Sequence, residues 1–150
     1  MKSDIRRVHV ITRQLRSALE SAFSPETAFP GTHSDVPSSG HCAAVAAIVR
    51  RRLGGWLVSA TVDNHSHWFN RLKAGKQLVD VDLTGDQFGR TPIQIAKFGR
   101  LYPGTRVRRP HELQVETLTR SELLEQRVRS RLSDGEANRR ETLIFANRPR

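Results

Sequence analysis

Along the first 22 residues, apolar side chains recur at spacings of three and four. Ile5, Val8, Ile11, Leu15, Leu19 and Ala22 form one stripe, which predicts an amphipathic helix over residues 5–22. Ser3 or Asp4 stands where an N-cap belongs, and Arg6, Arg7, Arg13 and Arg16 are expected on the wet side. Pro25 stops the helix soon after its stripe ends. Residues 24–40 carry no period. Pro25, Pro30, Gly31, Pro37, Ser38, Ser39 and Gly40 break any repeat and predict a loop, either a connector or one wall of a cleft.

The pattern returns at residue 41. Ala43 to Val49 is apolar nearly all round, so residues 41–53 read as a buried helix. Arg50, Arg51 and Arg52 fall in its last turn, where cations complement the helix dipole, and Gly54-Gly55 supplies a left-handed stop. From Trp56 the period shortens to two. Trp56, Val58, Ala60 and Val62 share one face of a predicted strand, and Asp63-Asn64-His65-Ser66 reads as the turn after it. His67 to Lys73 puts His67, Phe69 and Arg71 on one face and Trp68, Asn70 and Leu72 on the other. Ala74-Gly75-Lys76 is a hairpin turn. Gln77 to Leu83 sets Val79, Val81 and Leu83 opposite Asp80 and Asp82.

The rest is less regular. Thr84 to Gly89 reads as a loop or single turn, and Thr91–Phe98 as a short helix with Pro92 at its first position. Thr119 or Ser121 is the expected cap of a last helix running to about Leu132 on Leu123, Leu124, Val128 and Leu132, ended by Asp134-Gly135. There is no internal repeat. These elements define an α+β fold, with a single domain over 1–135 and a basic C-terminal tail over 136–150.

Composition narrows the function classes. No apolar run approaches the roughly 20 residues that span a bilayer, and the N-terminus lacks the apolar stretch of a secretory signal. The single cysteine makes no internal disulfide, which suits a reducing cytoplasm. The formal charge of +10 is uneven. Twelve arginines, from Arg100 to Arg150, crowd the last third, where Tyr102 and Phe145 are the only aromatics. Such a segment is either a solvated face or a contact surface for nucleic acid or an acidic protein, although a single-strand binder usually interleaves more stacking rings.

The candidate chemistry lies at the start of the second helix and in the strands after it. Cys42 follows Gly40-His41 at the helix N-terminus, where the dipole favours a thiolate and first-turn amides face any oxyanion. Register set by a turn at Gly75 brings His67 opposite residue 82 or 83, so Asp82 fits its partner better than Asp80. Cys42, His67 and Asp82 then have the types a nucleophile, its base and the base's orienter require. Each also has a structural reading: a small buried thiol, a satisfied core histidine, a partner carboxylate. Cys42, His65, His67 and Asp82 are acceptable zinc ligands. No second cysteine pair or compact spacing supports a metal, so neither metal nor cofactor is called for. His65 is expected in the turn, and His41, Asn70 and Trp68 at the oxyanion side or rim.

Ser39-Gly40-His41-Cys42-Ala43, Leu53-Gly54-Gly55, His67-Trp68-Phe69-Asn70-Arg71-Leu72 and Val81 to Phe88, in that order, resemble the small bacterial YunG-like proteins. That group is similar to papain-like and transglutaminase-like cysteine hydrolases. The resemblance spans about residues 37–89. It implies a nucleophile helix on an antiparallel sheet, with Cys42 as nucleophile, His67 as base and Asp82 as orienter. Where the family pattern has Gln before the cysteine, this chain has His41. The expected function is a cysteine-dependent hydrolase or acyltransferase of peptidase, deamidase or transamidase type, acting on a protein or peptide. The alternative is a non-catalytic basic protein that binds nucleic acid or an acidic partner.

Overall fold

A computed structural model describes the backbone of residues 2–146 and the side chains of residues 4–132. It shows an α+β architecture in the order α1 (Lys2–Ala22), α2 (Cys42–Leu53), β1 (Trp56–Val62), β2 (His65–Ala74), β3 (Gln77–Asp82), β4 (Gln94–Lys97), β5 (Arg106–Arg108) and α3 (Val115–Ala146), with short 3₁₀ turns at Gly85–Phe88 and Pro110–Glu112. The five strands form one sheet in the order β4-β3-β2-β1-β5, with every neighbouring pair antiparallel.

The helices cover one face of this sheet. Val45, Ile48 and Val49 of α2 meet Leu72, Val79 and Val81 of the strands, while Leu15 and Leu19 of α1 and Leu124 and Val128 of α3 complete the same cluster. The all-round apolarity of α2 is explained by this position, since Ala44 to Val49 are all buried. The opposite face carries a smaller cluster, with Val58, Ala60, Val62 and Phe69 packed under Tyr102. Burying apolar groups on both faces of β1 and β2 fixes their register, because a one-residue slip would exchange the two clusters.

Two tight turns set the strand pairing. Asp63 and Asn64 both have positive φ, 49° and 65°, and close a two-residue hairpin between the paired residues Val62 and His65. His65 and Ser66 therefore belong to β2, not to the turn. The next hairpin is also two residues long, with Ala74 opposite Gln77. Asn70 thus faces Val81, and the register extended along the chain puts His67 opposite position 84, not the 82 or 83 expected from a turn centred on Gly75. Gly55 at the start of β1 has φ +77°, and a Cβ there would stand 2.2 Å from the Arg71 carbonyl oxygen.

Several sequence expectations are corrected. Thr91–Phe98 is not a helix: Gln94–Lys97 pairs with β3 as an edge strand, and Ile93 and Ile95, two apart, pack on the main core. α3 begins at Val115, and the Thr119 and Ser121 hydroxyls bond back to the carbonyls of Val115 and Leu118 inside it. Its backbone passes Asp134-Gly135 and extends to Ala146. The side chains of the expected basic tail over 136–150 lie outside the described residues. Arg16 is buried, not wet, and its guanidinium meets Asp86 at 2.7 Å and Glu20 at 2.6 Å. Among the described residues, no helix is long and apolar enough to cross a membrane.

The helix–sheet contact is the main store of stability. Ile48 is fully buried in it, whereas Val115 is 74% exposed. Ile48→Ala is expected to lower unfolding free energy by about 2–5 kcal/mol, and Val115→Ala to change it by less than about 0.5 kcal/mol. Chemical denaturation followed by circular dichroism measures both, and similar values for the two would contradict this core assignment.

Candidate active site

The site begins where the loop 24–40 turns into α2. Gly40 has φ +76°, and a Cβ there would lie 2.4 Å from the Thr32 hydroxyl, so the chain closes here only with glycine. The Gly40 carbonyl accepts from the Phe29 N–H at 2.9 Å, which folds the loop back on itself. Ser38 donates to Asp86 at 2.5 Å and fastens the same loop to the 3₁₀ turn after β3. Of the two readings of this segment, the wall is the one observed: Phe29, Thr32, His33, Ser34, Ser39 and Gly40 line a cavity of about 890 Å³.

Cys42 is the first residue of α2 and lines that cavity with Ala43 and Ala44. His41 occupies the N-cap position but makes no side-chain cap. The leading amides of a helix have no intrahelical acceptors, so those of Cys42, Ala43 and Ala44 stand at the cavity with the positive end of the dipole.

His67 and Asp82 meet, although not by direct opposition across the hairpin. Asp82 reaches diagonally beyond the last paired residues, and its Oδ2 lies 2.8 Å from His67 Nε2. His67 is fully buried and Asp82 is 1% exposed. The carboxylate has four donors. Its Oδ2 accepts from His67 and from the Tyr102 hydroxyl at 2.5 Å, and its Oδ1 accepts from the Thr84 N–H at 2.9 Å and hydroxyl at 3.2 Å. Phe88 and Tyr102 stand edge-on to the imidazole, with ring centroids 4.7 and 5.4 Å away.

The electrostatics follow from this enclosure. Burial opposes a charge on His67. The hydrogen bond and charge of Asp82, with those of Cys42, outweigh it and raise the imidazole pKa to about 9. Burial likewise opposes the Asp82 charge, and the bonds from His67, Tyr102 and Thr84 overcome it, holding the carboxyl below its ordinary value. Tyr102 is pushed far upward by burial and by the adjacent Asp82, so it stays a donor. His67 Nε2 is committed to Asp82, Gln87 Nε2 approaches the other ring nitrogen to 3.5 Å, and Cys42 is close enough for its hydrogen bond and charge to raise the imidazole pKa. Cys42, His67 and Asp82 thus lie together, with the imidazole bonded to the carboxylate and sharing the cavity lining with the thiol.

The rim differs from the sequence expectation. Trp68 lines the cavity. His41 does not: it is 1% exposed, its Nδ1 meets the Ser39 carbonyl at 3.0 Å and its Nε2 the Thr27 hydroxyl at 2.7 Å. Burial lowers its pKa. Asn70 lies on the α2 face of β2 and donates to the Ala46 carbonyl at 2.9 Å. Both amino acids are therefore packing and bonding groups of the interior, and the side-chain amides at the cavity are those of Gln87 and Gln114. His65 lines the cavity from β2. Among the described residues, no group of three or more His, Cys, Asp or Glu is arranged to hold a metal ion.

The sequence reading omitted Thr84, Gln87 and Tyr102. Thr84 was legible in principle, since an aspartate commonly accepts from the amide two residues on. Gln87 lay within the string from Val81 to Phe88. Tyr102 is the chain's only tyrosine and approaches from a segment with no period.

The His67 shift has a pH consequence. Its folded pKa lies above the ordinary 6.5, so the stabilisation is complete below pH 6.5 and is lost as pH rises toward about 9. Wild type is expected to lose on the order of 2 to 3 kcal/mol relative to His67→Gln across that window. Urea midpoints at a series of pH values test this; parallel pH profiles for the two proteins would refute it.

A family model described as YunG protein matches residues 11–133, well over half of the chain and including the cavity, the sheet and most of the helical layer. No curated protein and no solved structure matches the chain.

Proposed function

The chain belongs to the YunG family, and from that premise we propose that it is a cysteine-dependent hydrolase or acyltransferase acting on amide or ester carbonyls of a protein or peptide. The observation that carries the proposal is the buried His67–Asp82 pair, with the imidazole and Cys42 lining one cavity. A helix-borne thiol meeting a sheet-borne imidazole is the arrangement of papain-like and transglutaminase-like cysteine hydrolases, and the proposal includes that kinship of core.

In the proposed reaction the Cys42 sulfur attacks the carbonyl carbon, with its proton held on His67. The new C–S bond forms as the carbonyl π electrons move to oxygen. First-turn amides of α2, assisted by Gln87, stabilise that oxyanion. Collapse breaks the bond to the leaving amine, which takes the proton from His67. Water, or an acceptor amine in a transamidase, then attacks the thioester and regenerates the thiol. Asp82 keeps one face of the imidazole fixed through both steps, and Tyr102 and Thr84 hold Asp82 in turn. Peptidase, deamidase and transamidase chemistry share this first half.

The test is the second-order rate of Cys42 alkylation by iodoacetamide across pH, followed by intact mass. Wild type is expected to react at pH 6 at least about tenfold faster than His67→Ala, because an imidazolium partner favours thiolate. Equal rates in both proteins, each with the profile of a free thiol, would defeat the proposal.

A further inference from the structure

The same cavity carries a cation that the relay does not use. Arg120 projects from α3 into the lining, against the wall formed by the loop 24–40. Its guanidinium lies over the Phe29 ring, 5.5 Å from the centroid, and its Nη2 donates to the Thr117 hydroxyl at 3.0 Å. Its Nε is sealed from water and has no acceptor. The neighbouring arginines differ. Arg127 pairs with Glu26, Arg51 and Arg52 with Glu125, and Arg108 with Glu112. The cavity carboxylate of Glu112 is occupied by Arg108 and by the Arg109 N–H at 2.7 Å. Among the described residues, no carboxylate makes an ion pair with Arg120.

We infer that Arg120 forms a subsite for a carboxylate of the substrate, so that the scissile carbonyl presented to Cys42 belongs to a peptide-like molecule bearing a free carboxylate. A planar guanidinium held by a hydroxyl and an aromatic face is pre-organised for such a group. The lining favours a monoanion over a phosphate dianion, since its one guanidinium without an ion pair shares the cavity with the Asp63 carboxylate. Arg120 acts here on binding and orientation, not on the reacting atoms. The inference rests on the cysteine chemistry proposed above, in which Cys42 attacks a carbonyl of the same molecule.

Because Cys42 is the only cysteine, its labelling reads what the rest of the cavity holds. The probes are iodoacetylglycine, 4-(iodoacetylamino)butanoate and 6-(iodoacetylamino)hexanoate, each against its primary amide, with iodoacetamide as reference. At one linker length the acid is expected to label wild type about tenfold faster than its amide. That preference disappears in Arg120→Gln and survives in part in Arg120→Lys, while iodoacetamide rates stay unchanged and circular dichroism shows all three folded. Equal acid-to-amide ratios in wild type and Arg120→Gln overturn the subsite and leave the relay standing if iodoacetamide still depends on His67.

If Cys42 proves unreactive, the relay reading fails and the subsite is tested by itself. The Arg120 Nε–H resonance is then titrated with acetylglycine, acetylglycinamide and inorganic phosphate. A saturable shift with acetylglycine alone supports a carboxylate subsite. No shift, or a stronger one with phosphate, overturns it.

Discussion

The buried carboxylate of Asp82 is the constraint around which this structure is arranged. An ionised carboxylate in the interior is tolerated only when its oxygens are fully bonded, and each Asp82 oxygen has two donors. Those donors come from β2, from the turn after β3 and from Tyr102 before β5. Three stretches far apart in the chain are thereby tied to one point. The imidazole that completes the set is also the group facing Cys42, so the polar knot that closes the small core is continuous with the candidate active site. Stability and the proposed chemistry draw on the same bonds.

A second division concerns the positive charge. The chain carries +10, which in the sequence read as either a solvated face or a contact surface; among the described residues several arginines are engaged within the fold. Arg16 is buried between α1 and the turn after β3, Arg71 pairs with Asp80 at 2.6 Å inside the sheet, and Arg127 spans α3 and the loop 24–40. These guanidiniums tie helix to turn, strand to strand and helix to loop. Arg71 shows the principle: Asp80 takes its Nε and Nη2 and also accepts from the Gly99 N–H, while Phe98 covers the guanidinium at 4.0 Å.

The helices, the first three strands and the Cys–His–Asp order were legible because each depends on local pattern. The heptad-like stripe of α1, the apolar run of α2 and the alternation in β1 to β3 are visible residue by residue. Register was nearly legible; one residue in the placement of the Gly75 turn moved the partner of His67, and the reach of an aspartate side chain made good the difference. β4 and β5 were not legible, since four- and three-residue strands owe their form to the edges they pair with. The rim was misread for a related reason. His41 sits beside the cysteine in sequence, but its ring turns inward to Thr27, and the amide near His67 comes from Gln87, far along the chain.

The junction at Gly40 has a mechanical consequence. The loop 24–40 is pinned at both ends of its fold, by the Phe29 N–H on the Gly40 carbonyl and by Ser38 on Asp86, and Gly40 is two residues from Cys42. The cavity wall and the first turn of α2 therefore share one rigid bracket. A side chain that presses outward on Phe29 transmits its load to the helix end that bears the thiol, so substrate bulk on the wall side and alignment of the sulfur are not independent quantities.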